Sequence, residues 1–226
     1  MIKYDFAILG GMGTLATIKL LELLYEKDDF KVEQDHVNYL VSNIPSIPDR
    51  TKALEDPLTK EKFNLYIDDF FKQLNTLKIK YFATPCNTAH ALLSKIKIPK
   101  GLTLINMVQL TQKNILNNPN HKVLILATEG TLKLKLYHMP NSLYLNKTLN
   151  KRLMSLIYKT KVNGVNKTLT NELIKIIQDG TKDYKEHIYI LLGCTELSLY
   201  YDDLVNDYNL IDPLRILTKN LLKLKS

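Results

Sequence analysis

Apolar runs of strand length alternate with helical periods along the whole chain, and this alternation constrains the fold more than any other feature of the sequence. The runs cover residues 4–9, 37–41, 79–84, 102–107, 122–128, 188–192 and 208–211. Each gives way to Gly, Pro or Asn and then to a segment with apolar residues on one helical face: residues 15–25, 63–77, 89–96, 108–116, 149–158, 168–177 and 213–224. The last of these opens on Pro213, a residue favoured in a first helical turn. Strands separated by helices are joined by crossovers, which build βαβ units and parallel sheets. The expected class is α/β.

The chain also repeats itself. Ala7-Ile8-Leu9-Gly10-Gly11-Met12-Gly13-Thr14-Leu15 aligns with Leu124-Ile125-Leu126-Ala127-Thr128-Glu129-Gly130-Thr131-Leu132, matching Ile, Leu, Gly, Thr and Leu in order. Tens of residues after each Gly-Thr turn comes an apolar strand that ends in cysteine and threonine: Tyr81-Phe82-Ala83-Thr84-Pro85-Cys86-Asn87-Thr88 in the first case, Ile188-Tyr189-Ile190-Leu191-Leu192-Gly193-Cys194-Thr195 in the second. The pattern predicts two related α/β halves, residues 1–100 and 101–202, with a boundary near residues 99–102. The last strand and helix, residues 203–226, are expected to cross back and complete the first half.

Composition excludes several classes. With 45% hydrophobic residues and only 8 Gly and 8 Pro, the chain can bury a core, so it is neither collagen-like nor globally disordered. Charge-free stretches such as residues 81–94 contain Pro, Asn, Thr and His and fall short of the ~18 continuous apolar residues of a membrane span. In the opening MIKYDFAILGGMG, Asp5 precedes an apolar run that glycines soon break, which is not the pattern of a secretory signal; the expected location is the cytoplasm. Two cysteines are too few for a disulfide scaffold. The 31 Lys and Arg exceed the 23 Asp and Glu by 8, but the lysines are scattered, which fits solvated faces and predicts no nucleic-acid partner. The Leu/Lys alternation of the C-terminal LTKNLLKLKS is read as a terminal helix with its leucines on the core, not as a membrane-surface helix.

Open α/β sheets bind ligands beyond the carboxyl ends of their strands, where both cysteines lie. If two similar halves face each other, the two thiols face across one cleft. Apolar Ala89, Leu92, Leu93 and Ile96 predict a helix starting near Asn87 or Thr88, so Cys86 sits at a helix N-terminus, where the dipole and free N–H groups favour a thiolate. Cys194 follows a strand and Gly193, which permits a tight turn. A lone cysteine is ordinarily a small buried hydrophobe; two in matching places of matching halves point to paired chemistry. There is no Cys-x-x-Cys, no His-x-x-x-His and no acid cluster at ligand spacing among His36, His90, His121, His138 and His187, so no metal is expected. Gly10-Gly11-Met12-Gly13 lacks the G-x-G-x-x-G spacing, and no acidic residue closes the second strand. It is read as a tight turn whose N–H groups bind a carboxylate.

Five segments, taken in order, resemble the aspartate/glutamate racemases that work without pyridoxal phosphate. They are Gly10-Gly11-Met12-Gly13-Thr14-Leu15-Ala16-Thr17, Asn43-Ile44-Pro45-Ser46-Ile47-Pro48-Asp49-Arg50-Thr51, Pro85-Cys86-Asn87-Thr88-Ala89-His90, Ala127-Thr128-Glu129-Gly130-Thr131 and Gly193-Cys194-Thr195-Glu196-Leu197, spread over nearly the whole chain. Relatives that supply D-glutamate to the cell wall end the last segment in Cys-Thr-His, so Glu196 groups this chain with the aspartate/glutamate enzymes. The resemblance implies two four-stranded parallel-sheet subdomains related by a pseudo-twofold axis, an active site in the cleft between them, no cofactor and a homodimer.

It also implies a mechanism that agrees with the paired cysteines. Racemising an amino acid removes the α-proton from one face and returns a proton to the other, so two acid/base groups are needed, here Cys86 and Cys194, one thiolate and one thiol. The α-hydrogen is a very weak acid, so fixed donors must stabilise the enolate-like carboxylate. By resemblance, Asn87, Thr88 and Thr195, with Met12, Gly13, Gly130 and Thr131, hold the α-carboxylate and amino group, and Asn43 also binds the substrate. Arg50 is the candidate clamp for a side-chain carboxylate, because guanidinium offers a two-pronged fork and Pro45 and Pro48 stiffen its loop. The family often places a second cation four residues after a tyrosine, a position that here is Val162, with Lys159 and Lys161 nearby. Lys133 and Lys135 stand where relatives have a small residue before the tyrosine matched by Tyr137. Glu196 is expected to bind the substrate ammonium or cap its turn.

The leading expectation is therefore a racemase of aspartate or glutamate. The alternatives are a maleate isomerase-like or hydantoin racemase-like enzyme, and an amino-acid-binding protein without turnover. A decarboxylase of the same superfamily needs only one cysteine, and this chain has both.

Overall fold

The computed structural model describes residues 2–117, 119–184 and 187–225. In chain order the elements are β1 (Phe6–Gly10), α1 (Thr14–Lys27), β2 (Tyr39–Asn43), α2 (Arg50–Glu55), α3 (Pro57–Thr76), β3 (Tyr81–Ala83), α4 (Asn87–Leu93), β4 (Thr103–Leu104) and α5 (Met107–Leu116). The second run is β5 (Lys122–Leu126), α6 (Glu129–Lys133), β6 (Ser142–Tyr144), α7 (Lys147–Asn163), α8 (Lys167–Thr181), β7 (Ile188–Leu192), α9 (Tyr201–Leu204), β8 (Asn209–Ile211) and α10 (Pro213–Leu221). Among the described residues, no helix is long and apolar enough to cross a membrane.

The strands form two four-stranded, all-parallel sheets, ordered β2-β1-β3-β4 and β6-β5-β7-β8. The two orders are the same pattern. In each, the repeated segment supplies an inner strand, β1 or β5, and the strand leading to a cysteine, β3 or β7, lies beside it. Central strands are fully apolar because helices cover both faces of such sheets: β1 is buried at every position, and β5 at all but its first residue.

Two compact units result, Met1–Met107 with Leu214–Ser226, and Val108–Pro213. The first core gathers Ala7, Leu9, Phe63, Phe70, Phe82, Leu92 and their neighbours around the first sheet. The second gathers Leu124, Leu126, Leu153, Leu173, Ile190, Leu192 and Leu197. Helix starts are marked by side chains that accept a first-turn N–H: Asp49, Asp56, Thr128, Asn146 and Asn166, each a contribution of roughly 1 kcal/mol.

The units differ from the expected bounds in two places. The boundary does not fall near residues 99–102, because β4 pairs with β3 through Tyr81↔Thr103 and Phe82↔Leu104 and closes the first sheet. Residues 203–226 do not cross back as strand and helix together: β8 pairs with β7 through Tyr189↔Asn209 to Leu191↔Ile211, and only Leu214–Ser226 joins the first unit. Both short strands satisfy their backbone groups on the cysteine-bearing strand nearest in the chain, which needs the shortest connection. The edge strand β6 and the short helices α2 and α6 were not expected from periodicity; segments of three to six residues are too short to show a period.

Candidate active site

The turn after β1 is held by backbone geometry. Gly11 has φ +89°, and a Cβ there would lie 2.4 Å from the Ile44 backbone, so only glycine fits. The Gly11 N–H donates to Thr17 Oγ1 (3.2 Å), whose hydroxyl donates to the Gly13 carbonyl (3.1 Å). At Gly11, the N–H expected to meet a carboxylate is therefore taken within the protein. The Ile44 N–H donates to the Gly10 carbonyl at 3.2 Å, joining this turn to the loop after β2.

Arg50 completes that junction. Its Nη1 donates to the Ile47 and Pro48 carbonyls (3.3 and 3.0 Å), and its Nη2 to the Met12 carbonyl (3.2 Å). The guanidinium thus binds two loops together, while the Asp49 carboxylate caps α2 through the Lys52 N–H. Met12 is buried in the first core, and Asn43 is exposed at the end of β2. Arg50, Met12, Gly13 and Asn43 are brought to one end of the first sheet.

Cys86 is the N-cap of α4, a free, buried thiol with extended backbone, packed in the cluster that includes Met12, Ile47 and Ala89. Asn87 and Thr88 are buried in the first turn of that helix. One turn on, His90 closes the arrangement: its Nδ1 lies 2.8 Å from the Cys86 carbonyl, and its Nε2 accepts the Met107 N–H at 3.2 Å. Only the neutral ring protonated on Nδ1 satisfies both contacts. Burial pushes His90 down to about 4, which agrees with a neutral ring.

Cys194 follows β7 through Gly193, where a Cβ would come within 3.0 Å of Ala127 Cβ and of the Leu126 carbonyl oxygen. It opens a 3₁₀ turn, Thr195–Tyr200, and is also free and buried. Its Sγ donates to Glu196 Oε2 at 2.8 Å and receives the Glu196 backbone N–H. Burial raises this thiol well above its ordinary value and the Glu196 charge adds to the rise, against a smaller opposing pull from Lys161. Glu196 is itself buried, and its Oε1 lies 3.4 Å from Lys161 Nζ. Thr195 is buried beside it.

The remaining candidates fall into place around these two turns. Thr131 is buried in α6, its hydroxyl 3.2 Å from that of Thr128. Val162 is 83% exposed and offers no cation. Lys161 reaches the Cys194 turn, whereas Lys159 lines the groove between α7 and α8. Lys133 and Lys135 are exposed, Lys135 with φ +53°, and Tyr137 is buried with its hydroxyl on Thr111. Sequence reasoning quoted His90 within a motif and among the histidines weighed for a metal, and assigned it no role. Its i+4 spacing from Cys86 was a usable signal; its second partner, Met107, was not, being far along the chain.

Among known proteins, the family described as Asp/Glu/Hydantoin racemase matches residues 9–221. The chain belongs to this family. It is 24% identical to the "Broad specificity amino-acid racemase RacX" of Bacillus subtilis (strain 168), with 94% of each chain covered. Aspartate racemase from Picrophilus torridus superposes with a TM-score of 0.82 at 28% identity, over 96% of this chain and 92% of that one. An aspartate racemase homologue from Pyrococcus horikoshii OT3 shares the fold with a TM-score of 0.73 at 18% identity, over 99% of both chains. At the Cys194 turn a buried sulfur, the Glu196 backbone N–H and the Glu196 carboxylate lie together, groups that by their chemistry can hold or pass a proton.

Proposed function

We propose that this protein racemises an acidic amino acid, aspartate or glutamate, by two-base proton transfer between Cys86 and Cys194, with no pyridoxal phosphate. The observation that carries this reading is that two sheets of one strand order each end the same strand in a free, buried cysteine at the first turn of a helix. One cysteine, as thiolate, takes the α-proton; the other, as thiol, protonates the opposite face, and the roles exchange with substrate handedness. The raised Cys194 thiol suits the acid role in the resting enzyme. Asn87, Thr88 and Thr195, with Met12, Gly13, Asn43 and Thr131, hold the α-carboxylate and amino group, and Arg50 takes the distal carboxylate with N–H groups left after its carbonyl contacts. The working enzyme is a cytoplasmic homodimer, a state that light scattering of the purified protein checks.

Incubation with L-aspartate and L-glutamate in heavy water, without pyridoxal phosphate, tests the reading. Incorporation of α-deuterium together with appearance of the D-enantiomer is the expected result. Ligand-induced stabilisation without exchange means a binding protein instead, and turnover of maleate or a hydantoin without amino-acid exchange means a related isomerase.

A second reading, a broad amino-acid range, draws on two features: the Arg50 guanidinium is already engaged with three carbonyls, and Val162 supplies no second cation. The name of the Bacillus subtilis relative fits it. A panel of acidic and neutral amino acids separates the two.

A further inference from the structure

Glu196 is a buried carboxylate with its two oxygens in different company. Oε2 accepts the Cys194 thiol proton at 2.8 Å. Oε1 has no hydrogen-bond partner among the described residues and lies 3.4 Å from the Lys161 ammonium, too poorly aligned for a hydrogen bond. Lys161 in turn lies over the Tyr158 ring, 5.7 Å from its centre, which fixes the ammonium on this side of α7. A carboxylate that merely capped the turn would engage backbone N–H groups. This one engages the sulfur that the proposed reaction uses, and burying it has a cost that the thiol and Lys161 offset.

We propose that Glu196 is the proton acceptor of Cys194 and that Lys161 is its counter-ion. This deepens the racemase reading and rests on it. When Cys194 must act as base, its S–H proton passes to Glu196 Oε2, leaving a thiolate and a neutral carboxylic acid. The thiolate then takes the substrate α-hydrogen as a proton and is a thiol again, while the Cys86 thiol protonates the opposite face. Glu196 releases its proton to solvent and Cys86, left as thiolate, recovers one, so no charge accumulates. The Glu196 backbone N–H on Sγ supports the thiolate while it lasts.

The titratable and charged groups around the thiol are Glu196 on its own turn, Lys161 on α7 and Tyr137 after α6, with Asp212 at the end of β8 facing Tyr137. Tyr137 is held neutral by burial, and Asp212 accepts the Ser198 hydroxyl at 2.7 Å. Tyr200 shares its hydroxyl with Thr160 at 2.6 Å. Glu196 and Lys161 are thus the charges that govern Cys194.

The chain has 2 cysteines, so protein labelled with ¹³C at cysteine Cβ gives one resonance per thiol, assigned with Cys86→Ser. In Glu196→Gln the titration midpoint of Cys194 is expected to fall, because a negative neighbour is gone, while α-deuterium exchange of aspartate slows about 100-fold, because an amide cannot take the proton. In Lys161→Met, a change at an exposed helical position that protects against loss of fold, the Cys194 midpoint is expected to rise and exchange to slow. A Glu196→Gln enzyme that exchanges within about threefold of wild type overturns the proposal, and so does a Cys194 midpoint that either variant leaves unchanged. Wild-type protein that exchanges no amino acid overturns the racemase reading instead, and the resonance shifts still report whether Glu196 and Lys161 govern the thiol.

Discussion

Cys86 and Cys194 occupy equivalent places in two sheets of the same strand order, yet their turns are built from different chemistry. Cys86 caps a true α-helix, and its carbonyl is held by a neutral imidazole. Cys194 opens a 3₁₀ turn, and its sulfur is held by a carboxylate. The first turn fixes the backbone around the thiol; the second acts on the thiol itself. A two-base reaction asks for this kind of division, since the two sulfurs must start in opposite protonation states, and a repeat with identical turns would give them equal proton affinity.

The largest expected effect comes from removing either sulfur. Cys86→Ser and Cys194→Ser should each lower racemisation by ~10³-fold or more with the fold retained by circular dichroism, because a serine hydroxyl is a poor proton acceptor. Near-wild-type rates from either would break the comparison at its root. Where both are inactive in racemisation, a substrate with a β leaving group sharpens it: each mutant should eliminate from the enantiomer its remaining thiolate can reach.

Next is Arg50, which belongs to the first unit alone. Arg50→Ala should lower kcat/KM on aspartate or glutamate by about 30-fold to several thousandfold, from roughly 2–5 kcal/mol for one member of a desolvated charge pair. Arg50→Lys should recover little, having lost the fork. Equal losses on acidic and neutral amino acids would mean that Arg50 acts only by tying the Met12 and Pro48 carbonyls together.

His90 makes the Cys86 turn sensitive to acid. Its folded value, pushed down by burial to about 4, lies below the ordinary 6.5, so the unfolded chain takes up the proton first. Stability from the neutral ring is complete above pH 6.5 and is lost as pH falls toward about 4, on the order of 3 kcal/mol in all. His90→Leu should be less stable at neutral pH by about 1–3 kcal/mol, because the Cys86 carbonyl and the Met107 N–H each lose their contact with the ring. Its urea midpoint should fall less steeply than that of wild type across the same window; equal slopes would remove His90 as the cause.

The glycines compare the backbones of the two turns, and Gly193 gives the smallest effect. Gly11→Ala combines positive φ with a Cβ against backbone and should cost about 2 kcal/mol or more, whereas Gly193→Ala, with contacts of 3.0 Å, should cost about 1 kcal/mol. Thermal unfolding of the two variants checks the order, and a reversed order would mean that the Cys194 turn is the less adaptable of the two.

Much of this was legible in the chain itself. The α/β class, the two halves and both cysteines follow from residue order, because an apolar strand beside a helical period, and a repeat of residues 7–15 at 124–132, are local patterns that need no partner to be seen. The resemblance of five short segments was enough to anticipate the family. What tertiary structure alone decided was partnership. Leu102 to Met107 and Tyr208 to Ile211 read alike as short apolar runs, and only hydrogen bonding to β3 or β7 assigned each to its sheet. The Arg50 fork looked available in the sequence and proved to be engaged with carbonyls as far away as Met12. Glu196 was open between two roles, and folding brought its carboxylate to the sulfur two residues back and to a lysine on another helix. The reason is common to all three: residue type states what a group can bond, while the partner it bonds depends on distances that the chain sets only once its cores are packed.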